Sequence, residues 1–289
     1  MFDPSTQKYI TTSYNRNNSS SLSDDFVYDI LKDNEGGLWI TTYFGGINYS
    51  NPNSSNFTIR HCATESARGR IISKFHEDKN GDIFIGTDDG GLFIYNPIKD
   101  KCHRYTIDKS NPNLNIHAIW SNDTYLWIGT YSKGLYRINH KTKYVEHIPY
   151  FEKDGITNES IYSIHEDLSG KIWIGTKTAI WTWTKKHGFI KEKELGYNSD
   201  IIAICEDLKG SIWFASLNKG ILKYTPTTHN ITHISKGSNG IKIPNEITSM
   251  SLHMDYLFIG TSGQGLIKYH IPTESITKEK CSNIEMEHL

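Results

Sequence analysis

The stretch SIHEDLSGKIWIGTKTAIWTW, residues Ser163–Trp183, contains the five-residue phrase IWIGT, and this phrase has five close echoes in the chain. The echoes are LWITT at Leu38–Thr42, IFIGT at Ile83–Thr87, LWIGT at Leu126–Thr130, IWFAS at Ile212–Ser216 and LFIGT at Leu257–Thr261. Their aromatic residues recur every 40 to 46 positions. A period of this length is typical of propellers and other repeat arrays.

Within each unit the local pattern indicates four short strands. The fourth unit reads SIYSIHE, KIWIGT, IWTWT and FIKEK, with the polar turns DLSG and KKHG between strands. Short runs rich in Ile, Trp, Tyr and Thr, bounded by Gly and Asp, are typical of strands. The phrase IWIGT is apolar on both faces, as expected for a blade sandwiched between its neighbours. The sequence therefore predicts an all-β fold, a β-propeller with six complete four-stranded blades.

Two further features repeat with the blades. Four units place Asp first and Gly fourth in the turn before the aromatic strand, at Asp33–Gly36, Asp78–Gly81, Asp167–Gly170 and Asp207–Gly210. Asp can accept hydrogen bonds from the turn backbone, and Gly supplies a positive φ.

Glycines inside the second strands are expected where a neighbouring segment approaches closely; they are Gly86, Gly129, Gly175 and Gly260.

The two ends of the chain are out of phase with the repeat. Residues 1–13 match the end of a third strand and a fourth strand, so they predict an N-terminal half blade. Residues 14–281 form the six propeller repeats, and residues 282–289 form a C-terminal tail too short to complete the half blade. We expect either a fragment of a longer protein or a half blade that pairs elsewhere. Whether the ring has six or seven blades stays open at this point.

Charge and composition exclude several classes of function. Lys and Arg number 31 and Asp and Glu 32, for a net charge of −1, so no global attraction to nucleic acid or to anionic lipid is expected. No apolar run approaches the roughly 20 residues of a membrane helix, and the N-terminus lacks the layout of a signal peptide.

Four cysteines, Cys62, Cys102, Cys205 and Cys281, lie far apart in the sequence without a C-x-x-C pair. This spacing fits neither a zinc knuckle nor a dense disulfide framework. The sequence favours free, half-buried thiols on strands, and cysteine usage therefore does not decide the compartment.

The segment Ile156–Trp181 carries the combination I-x-x-D-x-x-G-x-[LI]-W-I-G-T, and the segment Ser21–Pro52 carries it with Thr41 in place of Gly. In both, Gly or its replacement Ala179 follows, and then an apolar residue. In this combination the chain resembles the two-component-regulator propeller repeat, unit by unit over its whole length. That repeat fills the periplasmic sensor region of hybrid two-component histidine kinases in polysaccharide-degrading gut bacteria.

The resemblance implies a periplasmic, carbohydrate-binding sensor domain that detects an oligosaccharide and signals to a kinase. It also implies a membrane-anchored parent protein and a homodimer in that parent. The chain itself shows no membrane span, kinase segment or second propeller.

In a propeller, the loops after the second strands and the links between blades share one face around the central channel. Aromatic rings there can cover a sugar face while polar groups bond its hydroxyls. The candidate ligand-binding residues are Tyr43, Phe44, Arg70, Asp88, Asp89, His117, Tyr131, Lys133, Lys177, Asn218, Lys219 and Gln264. Arg70, with Arg68, could make bidentate contacts to an acidic sugar, although such arginines more often only cap loops.

Motifs for catalysis are missing from the sequence. Neither H-E-x-x-H nor G-x-S-x-G nor a phosphate-binding G-x-x-x-x-G-K-[ST] occurs. We therefore assign no catalytic residue, metal or cofactor and expect a sensor rather than an enzyme. Two alternatives remain: a propeller enzyme of lyase or lactonase type, whose site would be dispersed over several blades, and a protein-binding or dimerisation scaffold that uses the half blade.

Overall fold

The structure, a computed structural model, describes residues 2–3, 8–9, 13–14, 21–34, 36–50, 57–60, 71–148, 160–196 and 199–279. It confirms the predicted fold: six four-stranded antiparallel blades form a β-propeller. Within these ranges, no helix combines the length and the apolar character needed to cross a membrane. The only helical element in them is a 3-10 turn at Lys193–Leu195.

Each blade is built from four consecutive strands. Blade 1 contains β3 (Val27–Lys32), β4 (Leu38–Thr42), β5 (Gly46–Ser50) and β6 (Phe57–Arg60). Blade 2 contains β7 (Ile72–Glu77), β8 (Ile83–Thr87), β9 (Leu92–Asn96) and β10 (Lys101–Tyr105). Blade 3 contains β11 (Ile116–Ser121), β12 (Tyr125–Thr130), β13 (Leu135–Asn139) and β14 (Val145–Ile148). Blade 4 contains β15 (Ile161–Glu166), β16 (Ile172–Thr176), β17 (Ile180–Thr184) and β18 (Gly188–Lys191). Blade 5 contains β19 (Ile201–Glu206), β20 (Ile212–Ser216), β21 (Gly220–Thr225) and β22 (Asn230–Ile234). Blade 6 contains β23 (Ile247–His253), β24 (Tyr256–Thr261), β25 (Gly265–His270) and β26 (Ser275–Glu279).

The first strands of the blades surround the central axis. Within each sheet the spatial order follows the chain order, and the first strands of consecutive blades contact each other from β3 through β23. The fourth strands consequently lie at the periphery. All six phrases that decided the fold form second strands, where aromatic residues such as Trp127, Trp173 and Trp213 are almost completely buried.

Consecutive blades approach each other most closely at the glycines of the second strands. A Cβ atom on Gly129 would lie 2.5 Å from Cγ2 of Ile161, the first residue of the next blade. The same clash would occur between Gly175 and Ile201 at 2.6 Å. Both isoleucines are fully buried. The expected role of these glycines is confirmed, since only a residue without a side chain leaves room for the neighbouring isoleucine.

The repeated turn Asp holds the blade together through two kinds of hydrogen bond. Oδ1 of Asp207 accepts backbone N–H groups of Lys209 and Ser211, both at 2.9 Å, as predicted for this turn. Its Oδ2 also accepts the indole N–H of Trp213 at 2.9 Å, a bond that the sequence reasoning missed. The equivalent indole bonds measure 2.7 Å in blade 4 and 2.8 Å in blade 1. A buried indole N–H requires such an acceptor.

Blade 3 is the exception that shows how this bond depends on the turn. Its shortened turn has Asn122, whose side chain accepts the backbone N–H of Thr124 at 3.0 Å and of Tyr125 at 2.9 Å. Nε1 of the buried Trp127 finds no hydrogen-bond partner among the described residues. The Arg137 guanidinium lies 5.1 Å from the centre of this indole ring instead.

Two short strands precede the six blades. β1 (Phe2–Asp3) and β2 (Lys8–Tyr9) pair antiparallel, with Phe2 opposite Tyr9. This pairing suits the outer strands of a blade, but their membership in a half blade stays a prediction. The tail at 282–289 lies outside the described residues, and the boundaries 1–13 and 14–281 likewise stay predictions.

Removing the turn carboxylate should cost more stability where it also binds an indole. Asp207→Ala leaves the buried N–H of Trp213 unpaired, whereas Asp78→Ala loses turn bonds to Asn80 and Asp82 but no indole bond, because its blade has Phe84. We expect the free energy of unfolding to fall by about 1–3 kcal/mol more for Asp207→Ala. Urea denaturation of both variants measures this difference. Equal losses would mean that the indole bond contributes nothing to the fold.

Candidate functional site

One repeated backbone hydrogen bond defines the rim of the channel. In every blade, the residue after the second strand donates its N–H to the carbonyl of the residue before the first strand. The donors, which we call the rim residues, are Tyr43, Asp88, Tyr131, Lys177, Leu217 and Ser262. Because this bond is made by the backbone, the rim side chains are free to differ from blade to blade.

A β-bulge next to the rim contributes a second set of side chains. The register of every first strand shifts after its first residue. The residues at this shift, which we call the bulge residues, are Tyr28, Ser73, His117, Tyr162, Ile202 and Thr248. A bulge re-aims a side chain and often lies beside a functional site. The rim and the bulge residues together form the mouth of the channel.

Asp88 and His117 form a close pair in this mouth. Nε2 of His117 lies 3.2 Å from Oδ1 of Asp88, and the two side chains are 17% and 26% exposed. The two atoms are buried but are not aligned as a hydrogen bond. The imidazole also packs against two phenol rings, with its centroid 5.6 Å from that of Tyr131 and 5.5 Å from that of Tyr162. A carboxylate, an imidazole and two aromatic rings therefore meet at one point.

The tyrosines of the mouth influence one another electrostatically. Burial raises the pKa of Tyr28 to about 12, with further contributions from Asp88, Tyr43, Asp29 and Tyr162. Burial likewise raises the pKa of Tyr162, followed by the charge of Asp200. Since Tyr28 belongs to blade 1 and Tyr162 to blade 4, the mouth brings together side chains from non-adjacent blades. With their raised pKa values, Tyr28 and Tyr162 are neutral hydrogen-bonding groups near neutral pH.

The structure brings together only part of the predicted site. Four of the predicted residues, Tyr43, Asp88, His117 and Tyr131, belong to the interacting group just described. Lys177 occupies the equivalent rim position of blade 4, with an exposed side chain. Arg70 lies outside the described residues, together with Arg68.

The other predicted residues lie further along the turns that follow the rim. They are Phe44, Asp89, Lys133, Asn218, Lys219 and Gln264. Phe44 is 74% exposed and meets the ring of Tyr43 edge-on at 4.6 Å. Oε1 of Gln264 accepts a long hydrogen bond of 3.4 Å from Lys278. Phe44 thus touches the central group through Tyr43.

Sequence reasoning missed Tyr28 and Tyr162. Both are the second residue of a first strand, and His117 is their counterpart in blade 3. Aligning the six units on this position would have grouped the three residues. A simple alternation of faces along the strand would not have done so, because the bulge changes the direction of the side chain.

A second aromatic layer lies further along the same first strands. Trp120 packs between two histidines, with ring centroids 5.3 Å from His76 and 5.1 Å from His165. Nε2 of His76 accepts the backbone N–H of Ser121 at 3.0 Å, and Nε2 of His165 is buried without a partner in the described part of the chain. Burial lowers the pKa of both histidines to about 4. The layer consequently contains neutral imidazoles and helps to pack blades 2 to 4.

The cysteines do not all match the expectation from sequence. Cys102, in the outer strand β10, is disulfide-bonded, so the expectation of free thiols is wrong for this residue. Its partner lies outside the described residues. Cys205 is a free thiol whose pKa is raised by burial, followed by the charge of Asp207. Sequence spacing could not reveal the disulfide, since cysteines this far apart in the sequence carry no local signal of pairing.

Comparison with known proteins confirms the resemblance to two-component-regulator propellers. Residues 21–44 match the family model described as two component regulator propeller. The chain is also similar to Histidine kinase P4 of Formosa agariphila, with 26% identity over 138 residues, which are 46% of this chain and 10% of that protein.

Two solved structures share the fold. The extracellular domain of a hybrid two component system from B. thetaiotaomicron has a TM-score of 0.75 and 19% identity, covering 90% of this chain and 36% of that domain. Virginiamycin B lyase from Staphylococcus aureus has a TM-score of 0.62 and 16% identity, covering 85% of this chain and 84% of the lyase. The chain thus spans about a tenth of the kinase and about a third of the extracellular domain.

Protonation of the buried histidines should make the protein less stable in acid. Their folded-state pKa of about 4 lies below the usual value of 6.5, so the unfolded chain takes up the proton first. The free energy of unfolding is therefore unaffected by these histidines above pH 6.5. It falls as the pH drops toward about 4, by at most about 1.4 kcal/mol per pH unit for each histidine. His165→Gln should flatten this dependence.

Urea midpoints between pH 4 and pH 7.5 measure this slope in the wild type, in His165→Gln and in the control His103→Gln. Position 103 is exposed on β10, so the control should follow the wild type. Because the carboxylates are shared by all three proteins, their titration cancels in the comparison. A His165→Gln curve parallel to the wild-type curve would contradict the assignment of a depressed pKa.

Proposed function

We propose that this chain is the ligand-sensing propeller of an extracytoplasmic two-component sensor and that it binds an oligosaccharide at the mouth of the channel. The observation that carries this proposal is the convergence of Tyr28, Asp88, His117, Tyr131 and Tyr162 from four blades. A rigid repeat with a variable mouth is a common way to present a specific binding surface. The match of residues 21–44 to the two-component-regulator family supports a role in sensing.

The chemistry of the mouth suits a sugar. Phenol rings can cover the apolar face of a pyranose, and their hydroxyl groups can donate and accept hydrogen bonds. The carboxylate of Asp88 can accept hydrogen bonds from sugar hydroxyls, and the ring nitrogens of His117 add further hydrogen-bonding groups. The exposed rings of Tyr43 and Phe44 extend the apolar surface toward solvent, where a second sugar unit could stack.

The disulfide at Cys102 supports an extracytoplasmic, periplasmic location. Disulfides persist in oxidising compartments and are rare in the cytosol, and Cys102 is disulfide-bonded here. In this proposal, a membrane-anchored parent carries the propeller outside the inner membrane. It works as a homodimer and passes ligand binding to a kinase.

Ligand binding should raise the thermal midpoint of the protein. A ligand at about 100 times its dissociation constant adds roughly 2.7 kcal/mol of stability, which corresponds to several degrees for a chain of this size. We expect one class in a panel of plant and host oligosaccharides to produce this shift. Tyr131→Ala and Tyr28→Ala should abolish it, while Tyr144→Ala, which alters an exposed ring away from the mouth, should retain it.

A shift that survives both mouth substitutions would place the ligand elsewhere. A panel without any shift, tested on folded protein, would contradict oligosaccharide sensing by this segment.

The Asp88–His117 pair favours a second candidate, a propeller lyase. A carboxylate beside an imidazole can orient it as a general base, and the pair is only 3.2 Å apart. Analysing the same panel for products by mass spectrometry separates the two functions. Turnover that disappears in His117→Ala would establish the enzyme, whereas a thermal shift with unchanged ligand supports the sensor.

A further inference from the structure

Three polar atoms at the rim of the channel are buried without a hydrogen-bond partner among the described residues. They are Oδ1 of Asp88, Oδ1 of Asn115 and Nε2 of His117. Asp88 is the rim residue of blade 2, and the backbone carbonyl of Asn115 accepts the rim bond of Tyr131 at 2.9 Å. A buried polar group without a partner is costly to the fold, so each one requires an explanation. Their position at the rim indicates a ligand that supplies the missing partners.

The contact between blades 2 and 3 brings the three residues to one place. A Cβ atom on Gly86 would lie 2.7 Å from Cγ2 of Ile116, so these two residues touch across the blade boundary. Asp88 follows Gly86 by two residues, and Asn115 and His117 lie on either side of Ile116. Nε2 of His117 lies 3.2 Å from Oδ1 of Asp88. The oxygens of a carboxylate and of an amide accept hydrogen bonds, so the partner that both oxygens lack is a donor.

Aromatic rings border the same place. The imidazole of His117 packs against the rings of Tyr131 and Tyr162, with centroid distances of 5.6 Å and 5.5 Å. Tyr131 is 45% exposed, so its ring can contact a ligand. The face of a tyrosine ring attracts a cation that lies within about 6 Å of its centre. Aromatic rings beside unpaired acceptors therefore suit a donor that is positively charged.

The charged groups that act on the tyrosines of the mouth are carboxylates. Burial raises the pKa of Tyr28 to about 12, and the next cause is the negative charge of Asp88. Burial also raises the pKa of Tyr162, and there the next cause is the negative charge of Asp200. The backbone carbonyl of Asp200 accepts the rim bond of blade 5. Negative charge thus acts on the mouth from blade 2 and from the start of blade 5.

The lysines around the mouth leave Asp88 without a cationic partner. Lys133 and Lys177 have exposed side chains, so water and salt screen their charges. Lys74 acts on Asp29, where its charge opposes the increase in pKa that burial causes. In the described part of the chain, neither lysine nor arginine forms an ion pair with Asp88. Its carboxylate is consequently available to a cationic ligand.

We propose that the mouth selects an oligosaccharide that carries a free, protonated amino group. This inference rests on the proposed function and specifies the ligand class of the same site. An ammonium group supplies three N–H donors and one positive charge. Two donors bind the oxygens of Asp88 and Asn115, and the third binds Nε2 of His117 in the tautomer that leaves this nitrogen unprotonated. The bond to Asp88 is charge-assisted and therefore stronger than a neutral hydrogen bond.

Competing sugars lack this match. An N-acetyl group in place of the amine offers one donor and no charge. A uronic acid places a second carboxylate beside Asp88, and like charges that meet at an interface weaken binding.

Calorimetric titration with two matched ligands tests this selectivity. The ligands are the tetrasaccharides of glucosamine and of N-acetylglucosamine, at about pH 6.5 in low salt, where charge interactions are least screened. A tetrasaccharide of galacturonic acid is the acidic comparison. We expect the glucosamine ligand to bind about tenfold or more tightly than its N-acetylated form, because it gains the charge-assisted bond. Asp88→Asn removes the charge and should abolish most of this preference.

Asp123→Asn is the matched control, since it removes one carboxylate from an exposed pair with Lys79 outside the mouth. It should retain the preference. The rim bond of Asp88 uses backbone atoms, so Asp88→Asn should fold, and the thermal midpoints of both variants check this. Equal affinity for the matched ligands, tighter binding of the N-acetylated or acidic form, or a preference that survives Asp88→Asn would overturn this inference and leave oligosaccharide sensing intact. If no oligosaccharide of the wider panel binds, both this inference and the proposed function are overturned.

Discussion

The close approach of each blade to the next is the constraint on which this structure depends. A β-branched residue at the start of one blade occupies the space that a missing side chain leaves in the preceding second strand, as for Ile161 at Gly129. This contact buries both faces of the second strand, which explains why the phrase IWIGT is apolar on both sides. Repeated from blade to blade, it also keeps the first strands together around the axis. This packing therefore determines the geometry of the mouth of the channel.

A repeated fold can contain a specific site because the backbone makes the repeated contacts and the side chains are left to vary. The rim hydrogen bond uses only backbone groups, so it recurs in all six blades irrespective of sequence. The side chains at the rim and bulge positions differ instead. Aromatic and charged groups come from blades 1 to 4, whereas blades 5 and 6 contribute Leu217, Ile202, Ser262 and Thr248. The mouth is consequently chemically one-sided, which is a requirement for recognising a ligand without six-fold symmetry.

The fold could be predicted because its determinants are local and repeated. Strand positions, the Asp-to-Gly turn and the role of Gly129 and Gly175 all follow from patterns within one unit. The bond from the turn Asp to the indole six residues later was accessible in principle, since Asp33, Asp167 and Asp207 all share this spacing with a Trp. The disulfide of Cys102 was not accessible, because four widely spaced cysteines carry no local signal of which of them pair.

The candidate site could be predicted only in part, for a similar reason. Turn residues such as Tyr43 and Asp88 were found because the loops of a propeller share one face. Tyr28 and Tyr162 were missed because a bulge redirects them, and a bulge leaves no clear mark in a strand sequence. How near the side chains of blades 1 and 4 lie to each other depends on the curvature of the ring, which no single repeat encodes.

Comparing two glycine substitutions tests the central role of blade packing most directly. Gly129→Ala places a methyl group against Ile161 and Ala118, which have no room to move, whereas Gly260→Ala meets chiefly the rotatable hydroxyl of Ser249. Urea denaturation should show a loss of about 1–3 kcal/mol for Gly129→Ala and a change within about 0.5 kcal/mol for Gly260→Ala. Equal effects of the two substitutions would contradict the account, because stability would then not depend on the close approach of consecutive blades.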